Sequence, residues 1–247
     1  MKIVAVIPAR LESTRLPRKM LRELGRVPLV GRVYEAVRAS PLPAEVIIAT
    51  DAQEILDLCA ARGWNARMTA SSHRSGTERV YEISQSVAAD VYINVQGDEP
   101  MTRPEQIATL VELMKRREIQ VGTLMTAAGE ADVASPSAVK VVTNKDGKAL
   151  YFSRATIPFD RDRGGAKYFK HLGFYAYRKS ALEKFISWPE SRLEKTERLE
   201  QLRFLENGID LYVAETPFDS IGVDTEEDME RVKKLGNWGI EQLGNSE

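Results

Sequence analysis

The stretch Ile3-Val4-Ala5-Val6-Ile7-Pro8-Ala9-Arg10-Leu11-Glu12-Ser13-Thr14-Arg15-Leu16-Pro17-Arg18-Lys19 opens on an unbroken apolar run and turns abruptly into a polar, basic loop. An apolar run without alternation marks a strand buried on both faces, the situation of a parallel sheet covered by helices. The pattern returns at 46–49, 91–95 and 119–124. Between these runs, apolar residues recur at i, i+3 and i+4: Leu29, Val30, Val33 and Val37 over about 28–39, Ile55, Leu56 and Cys59 over 52–62, and Ile107, Leu110, Val111 and Met114 over 104–116. That rhythm is helical. Strand–helix alternation predicts an α/β fold with a mainly parallel sheet and right-handed crossovers. Such sheets bind ligands outside the carboxyl ends of their strands, which directs attention to the loops at 8–19, 72–79 and 96–100.

After residue 135 the rhythm changes to closely spaced strands at 138–143, 148–153 and 172–177, with a hairpin turn at Asn144–Gly147. Helices at 179–187 and 196–206, a strand at 209–214 and a helix from 225 follow. No Pro/Gly/Ser-rich linker and no internal repeat divides the chain. The reading is one domain over 1–247, with a smaller mixed α/β lobe at about 137–210 and a site between lobe and core. The tail from Asn237 to Glu247 is expected to fray.

With 247 residues, 43% of them hydrophobic, the chain can bury a large core. A net charge of −1 argues against coating a nucleic acid or an anionic membrane, so a small-molecule partner is expected. Cys59 is the single cysteine and there are two histidines, which rules out an internal disulfide and a Cys/His zinc cluster. The run Ile3–Ile7 is too short for a signal-peptide core or a membrane span, and the expected location is cytoplasmic. Charge is nevertheless uneven. Arg10, Arg15, Arg18, Lys19, Arg22, Arg26, Arg32 and Arg38 outnumber Glu12, Glu23 and Glu35 over 10–38, whereas acids outnumber bases over 190–234. A basic loop facing acidic elements suits an anion held with a metal, although two solvated faces would give the same count.

The loop at 8–19 offers forked and point-charge donors to a polyphosphate through Arg10, Arg15, Arg18 and Lys19, with hydroxyls on Ser13 and Thr14. It lacks the glycines of either standard phosphate loop. At 73–79, Ser75 and Gly76 would let backbone groups approach a base or ribose, or Ser75 or Thr77 would simply cap a helix. The strand at 91–95 runs into Gln96-Gly97-Asp98-Glu99-Pro100, placing carboxylates and an amide at the ligand edge, where Asp98 suits either Mg²⁺ or a turn. His171 and Tyr175 share one face of a strand. Asp224, ahead of Thr225 to Asp228, reads as a helix N-cap, and Thr225 with Asp228 as a capping box. Asp51 reads as another N-cap.

In full, Pro8-Ala9-Arg10…Ser13-Thr14-Arg15-Leu16-Pro17…Lys19 resembles the phosphate-loop string of the cytidylyltransferases that activate acidic sugars, most closely the 3-deoxy-manno-octulosonate (Kdo) branch. His73 to Arg79, Gln96 to Pro100, Tyr151 to Pro158, His171 to Arg178, Leu199 to Arg203 and Gly222 to Thr225 are similar to that family's further strings, in order along nearly the whole chain. The resemblance implies a Rossmann-like nucleotidyltransferase core and transfer of CMP from CTP to Kdo, giving CMP-Kdo and pyrophosphate for lipopolysaccharide synthesis. It implies a homodimer that binds neither nucleic acid nor membrane, with Mg²⁺ as cofactor. Arg10, Ser13, Arg15, Lys19, Arg74, Ser75, Gly76 and Gln96 are expected to bind the nucleotide, with Arg10, Arg15, Lys19 and Asp98 catalytic. Gln96, Arg154, His171, Tyr175, Glu200 and Gln201 are expected to bind the sugar, and Asp98 and Asp224 the metal. Arg154 would grip the sugar carboxylate. The chain departs from the family at Arg18 and Met20, where Gly and Pro are usual. Activation of a sialic acid or of 8-amino-Kdo, and a non-catalytic nucleotide-binding regulator on the same fold, are the competing readings.

Overall fold

Strand β1 (Ile3–Pro8) is buried along its whole length. Ile3, Ala5 and Ile7 point into one apolar cluster and Val4 and Val6 into another, so both faces are covered and no alternation is left in the sequence. The computed structural model describes residues 1–236 and Trp238. The core units are β1, α1 (Leu29–Arg38), β4 (Glu45–Thr50), α2 (Gln53–Arg62), β5 (Ala66–Met68), α3 (Gly76–Ser86), β6 (Val91–Asn94), α4 (Pro104–Met114) and β7 (Val121–Ala127). A two-stranded hairpin, β2 (Glu23–Leu24) and β3 (Val27–Pro28), precedes α1. The chain continues through α5 (Glu130–Ala134), β8 (Lys140–Thr143), β9 (Ala149–Ser153), β10 (Phe169–Tyr177), α6 (Lys179–Ser187), α7 (Arg192–Glu197), α8 (Leu202–Glu206), β11 (Leu211–Glu215) and α9 (Glu226–Leu235).

The sheet runs β11-β7-β10-β6-β1-β4-β5, with the β8–β9 hairpin joined to β10. β1 pairs in parallel with β4 and β6, β4 with β5, and β7 with β11. β10 is antiparallel to both β6 and β7. The expected lobe at 137–210 is therefore not set apart. Its β10 fills the centre of the sheet, and Val141, Phe152, Phe185 and Phe204 pack in the same cluster as Val4, Val6, Val80 and Ile83. Among the described residues, a nine-stranded sheet with an apolar cluster on each face carries the core, and a third cluster joins Leu24 of the β2–β3 hairpin to Met229 and Val232 of α9.

Two local readings need correction. The helix expected at 196–206 is two short ones, because Arg198 takes a left-handed conformation at φ 55° and ends α7. Asp51 caps nothing: α2 has Ala52 at its N-cap, and the Asp51 carboxylate pairs with the buried Arg79 guanidinium. The turn at Asn144–Gly147 forms as read, with Asn144 Oδ1 accepting from the backbone N–H groups of Asp146 and Lys148, each at 2.9 Å, and Gly147 at φ 79°. In the tail, Trp238 donates its Nε1–H to the Val232 carbonyl at 2.9 Å. The remainder of the expected frayed segment lies outside the described residues.

Candidate active site

The carboxyl ends of β1 and β6 open on a cavity of about 370 Å³ lined by Arg10, Ser13, Arg15, Lys19, Arg74, Ser75, Gly76, Gln96, Asp98 and Asp224, among others. All eight residues expected to bind nucleotide lie here, together with both expected metal ligands. Lys19 is the pivot. At 6% exposure, its Nζ donates to Asp98 Oδ2 at 2.6 Å and to Asp224 Oδ1 at 2.9 Å. Arg15 donates to the other Asp224 oxygen at 2.7 Å, and Arg22 pairs with Glu226 at 2.5 Å. The basic loop thus faces the acidic C-terminal segment, as the uneven charge suggested. Burial would lower the Lys19 pKa, but the two carboxylates outweigh it and hold it raised. Burial likewise works to raise Asp224, and hydrogen bonds and charge from Lys19 and Arg15 pull it below the usual carboxylate range.

Local chemistry explains why Asp224 is available. Thr225 caps α9, in a capping box with Asp228. The Asp224 carboxylate, freed from capping, turns into the cavity. At the opposite wall Ser75 caps α3, its Oγ accepting from the Glu78 N–H at 3.3 Å. Thr77 points the other way, to Tyr177 Oη at 3.2 Å and to the Glu200 carboxylate. Gly76 is needed for its bareness: a Cβ there would sit 3.3 Å from the side-chain amide nitrogens of Asn94 and Gln96 and from Pro8. Gly97 is tighter still, its missing Cβ 2.7 Å from the Pro8 carbonyl.

The residues expected on the sugar side are only partly brought together. His171, Tyr175 and Gln201 are buried, and the His171 and Tyr175 rings lie 5.4 Å apart. Thr123 Oγ1 lies 2.7 Å from the Phe174 carbonyl, to which it donates, and 2.9 Å from His171 Nε2. A hydroxyl has one proton, so Nε2–H of His171 donates to Thr123 and Nδ1 keeps the lone pair. Burial pushes His171 down to about 3, making it a neutral hydrogen-bonding group rather than a proton reservoir. Burial raises Glu200, opposed by hydrogen bonds from Ser75 and Thr77. Gln201, at 4% exposure, leaves its Nε2 without a partner among the described residues, a costly orphan donor unless a ligand meets it.

Arg154 is held by backbone carbonyls. It lines neither the nucleotide cavity nor a second one of about 260 Å³ beside His171 and Lys170. Its guanidinium donates to the carbonyls of Glu197 at 2.8 Å, Pro136 at 3.1 Å and Arg198 at 3.4 Å. The left-handed end of α7 leaves the Glu197 and Arg198 carbonyls unpaired within the helix, and a forked cation satisfies both together with the Pro136 carbonyl of the loop before β8. Arg154→Lys is therefore expected to act mainly on stability. One ammonium cannot span three carbonyls, and a loss of about 1–3 kcal/mol corresponds to a Tm lower by roughly 3–8 °C. A melting curve beside kinetics with each substrate varied checks this; an unchanged Tm with a raised sugar KM would return Arg154 to the sugar.

Arg79, buried against Asp51 at the cavity wall, and Glu99 were not singled out in the sequence. Burial pushes Glu99 up to about 7, opposed by a hydrogen bond from Ser220. Between pH 4.5 and 7 the folded chain holds a Glu99 proton that the unfolded chain has lost, so this group's stabilisation falls as pH rises. His171 does the reverse between pH 3 and 6.5: the unfolded chain binds the proton and stability falls as pH drops. The two slopes oppose each other near pH 5–6.5. Glu99→Gln should leave His171 unopposed, and the fall in Tm from pH 7 to pH 5 should exceed that of the parent by on the order of 5 °C. Equal falls in the two proteins would refute it.

An α/β sheet whose first strand feeds a glycine-poor basic loop, with two carboxylates converging on its lysine, defines a nucleotidyltransferase-type site. A putative glucose-1-phosphate thymidylyltransferase from Bacillus anthracis, 14% identical, shares the fold at a TM-score of 0.66 over 94% of each chain. The sequence model of the cytidylyltransferases matches residues 4–213. The 3-deoxy-manno-octulosonate cytidylyltransferase of Koribacter versatilis is 64% identical over 235 residues, covering 95% of this chain and 90% of that protein. Its Escherichia coli counterpart is 44% identical over 95% and 96%. A solved CMP:2-keto-3-deoxy-manno-octonic acid synthetase complexed with CTP superposes at a TM-score of 0.92, with 43% identity over 95% of this chain and 98% of that one. The chain belongs to the 3-deoxy-manno-octulosonate cytidylyltransferase family.

Proposed function

We propose that this chain transfers CMP from CTP to Kdo and releases pyrophosphate. The observation that carries the reading is the convergence of Lys19 and Arg15 on Asp98 and Asp224 at the carboxyl edge of β1 and β6, in a chain 64% identical to a Kdo cytidylyltransferase. In-line attack by the sugar's anomeric hydroxyl on the α-phosphorus asks the protein chiefly for positioning and charge neutralisation. Arg10, exposed at the cavity mouth, and Arg15 reach the triphosphate first. Lys19 is held in wait by its two carboxylates. Gln96, Ser75 and the bare backbone at Gly76 border the nucleotide.

The donor set fits Mg²⁺. It is all oxygen, and Mg²⁺ typically takes one or two carboxylates and fills its shell with substrate phosphates and water. Asp98 keeps Oδ1 free of any hydrogen bond among the described residues, while both Asp224 oxygens become available once Arg15 and Lys19 turn to phosphate. Bound there, the ion would neutralise charge developing on the transferred phosphate. On the sugar side, His171, Tyr175, Glu200 and the orphan Gln201 Nε2 supply neutral and anionic partners for hydroxyls.

The homodimer belongs to the same proposal. Phe159, 86% exposed, and Leu150, 59% exposed, both lie in the 137–210 segment and are apolar surface a second copy would cover. Among the described residues no helix is long and apolar enough to cross a membrane, and use of CTP suits the cytoplasm. Steady-state kinetics with Kdo, 8-amino-Kdo and a sialic acid as acceptors test the assignment. The highest kcat/KM is expected for Kdo, and preference for either alternative would displace it.

A further inference from the structure

The two cavity carboxylates sit on loops far apart in the chain, and a second set of contacts behind them ties those loops together. The Asp98 carbonyl accepts the Val223 N–H at 2.9 Å. On the adjacent residue, Glu99 Oε2 accepts the Ser220 hydroxyl at 2.6 Å. Each anchor is itself fixed. The Glu99 carbonyl takes the Thr102 hydroxyl at 2.7 Å, which locks the turn after Asp98. Lys170 Nζ bridges Asp219 at 2.9 Å and the Ser220 carbonyl at 3.4 Å, which locks the turn leading to Asp224. Gly173 of β10 lies directly against the pair, where a Cβ would come 2.9 Å from Glu99 Oε1.

Lys19 Nζ now holds Asp98 and Asp224 together from the front. When Lys19 and Arg15 turn to a triphosphate, that counter-charge is shared with the ligand and the carboxylates repel each other. Something other than Lys19 must then keep them convergent. We propose that Glu99 and Ser220 are positioning residues, whose hydrogen bond behind the site holds Asp98 and Asp224 at the spacing a phosphate-bound divalent cation needs. The inference rests on the reading of Asp98 and Asp224 as cation ligands given above. It assigns no contact with substrate to Glu99 or Ser220.

The test is equilibrium binding of CTP without any sugar, once with EDTA and once with Mn²⁺, in the full-length parent and in Ser220→Ala, Ser220→Thr, Gly173→Ala and Asp98→Asn. The quantity read is the factor by which Mn²⁺ tightens CTP binding. Ser220→Ala should cut it at least fivefold while metal-free affinity and Tm stay near the parent's. Ser220→Thr, which keeps the hydroxyl, should restore it. Gly173→Ala should reproduce the defect from another strand, by displacing the Glu99 carboxylate. A parent-like factor in Ser220→Ala, or equal loss of affinity with and without metal, overturns the proposal. Asp98→Asn separates the two layers: if it too leaves the factor unchanged, the cation reading fails and the brace fails with it, whereas loss in Asp98→Asn without loss in Ser220→Ala overturns the brace alone.

Discussion

Asp98→Asn is expected to lower kcat about 100-fold or more at saturating CTP and Mg²⁺, with a cooperative melting transition retained. The change keeps side-chain volume and leaves an oxygen that still accepts from Lys19 Nζ, now 2.6 Å from Asp98 Oδ2. What it removes is the negative charge and one anionic oxygen that a hard cation prefers. Lys19 does not become an unpaired buried cation, because Asp224 Oδ1 remains at 2.9 Å. The fold is therefore spared while the chemistry is not. Asp224→Asn should behave alike, since Thr225 rather than Asp224 caps α9. Full turnover in either variant would remove that residue from the reaction.

Lys19→Met should be as damaging, cutting kcat/KM for CTP by about 100-fold. The substitution removes the buried cation that two partly exposed carboxylates share and leaves them facing each other across the cavity. A lower Tm is expected as well, because Asp98 loses its cation while Asp224 keeps Arg15. Its neighbour provides the contrast. Arg18 adopts φ 57°, a left-handed conformation that costs an L-residue roughly 1 kcal/mol and glycine almost nothing. Its guanidinium pairs with Glu54 at the surface, an interaction worth little. Arg18→Gly should leave kcat/KM for CTP within about twofold and Tm unchanged or slightly higher. If Arg18→Gly instead proved the more damaging, the loop's register would be off by one.

The same residue shows what the sequence could and could not disclose. Arg18 stands where the family usually has glycine, which left the backbone path open; its left-handed φ of 57° is one that glycine adopts without strain. The apolar runs at 3–7, 46–49 and 91–95 were legible as strands because both their faces are covered, so hydrophobicity alone reported them. The place of β10 was not. Residues 172–177 read as a strand from composition, but which strands it joins depends on contacts with β6 and β7 that lie about 40–85 positions away and leave no local trace.

The site divides in the same way. Arg10, Arg15, Lys19 and Asp98 were legible as candidates because they follow the carboxyl ends of β1 and β6, whereas Asp224 read as a helix cap and entered the metal site only through the family resemblance. Arg154 looked like the sugar's partner because of its fork, yet carbonyls at the end of α7 claim that fork. Glu99 was hidden beside Asp98: nothing in Gln96 to Pro100 tells which of two adjacent carboxylates faces the cavity and which faces Ser220. Thr77 was hidden inside a helix start, where a cap explained it well enough until Glu200 was seen against it.

One measurement bears most directly on the reaction: incubation of the purified chain with CTP, Kdo and Mg²⁺, with the products resolved and counted. Formation of CMP-Kdo and pyrophosphate in equal amounts, with neither formed when Kdo is left out, is the predicted result. Release of inorganic phosphate or CDP without a nucleotide-sugar, or no consumption of CTP by a folded protein, would contradict it.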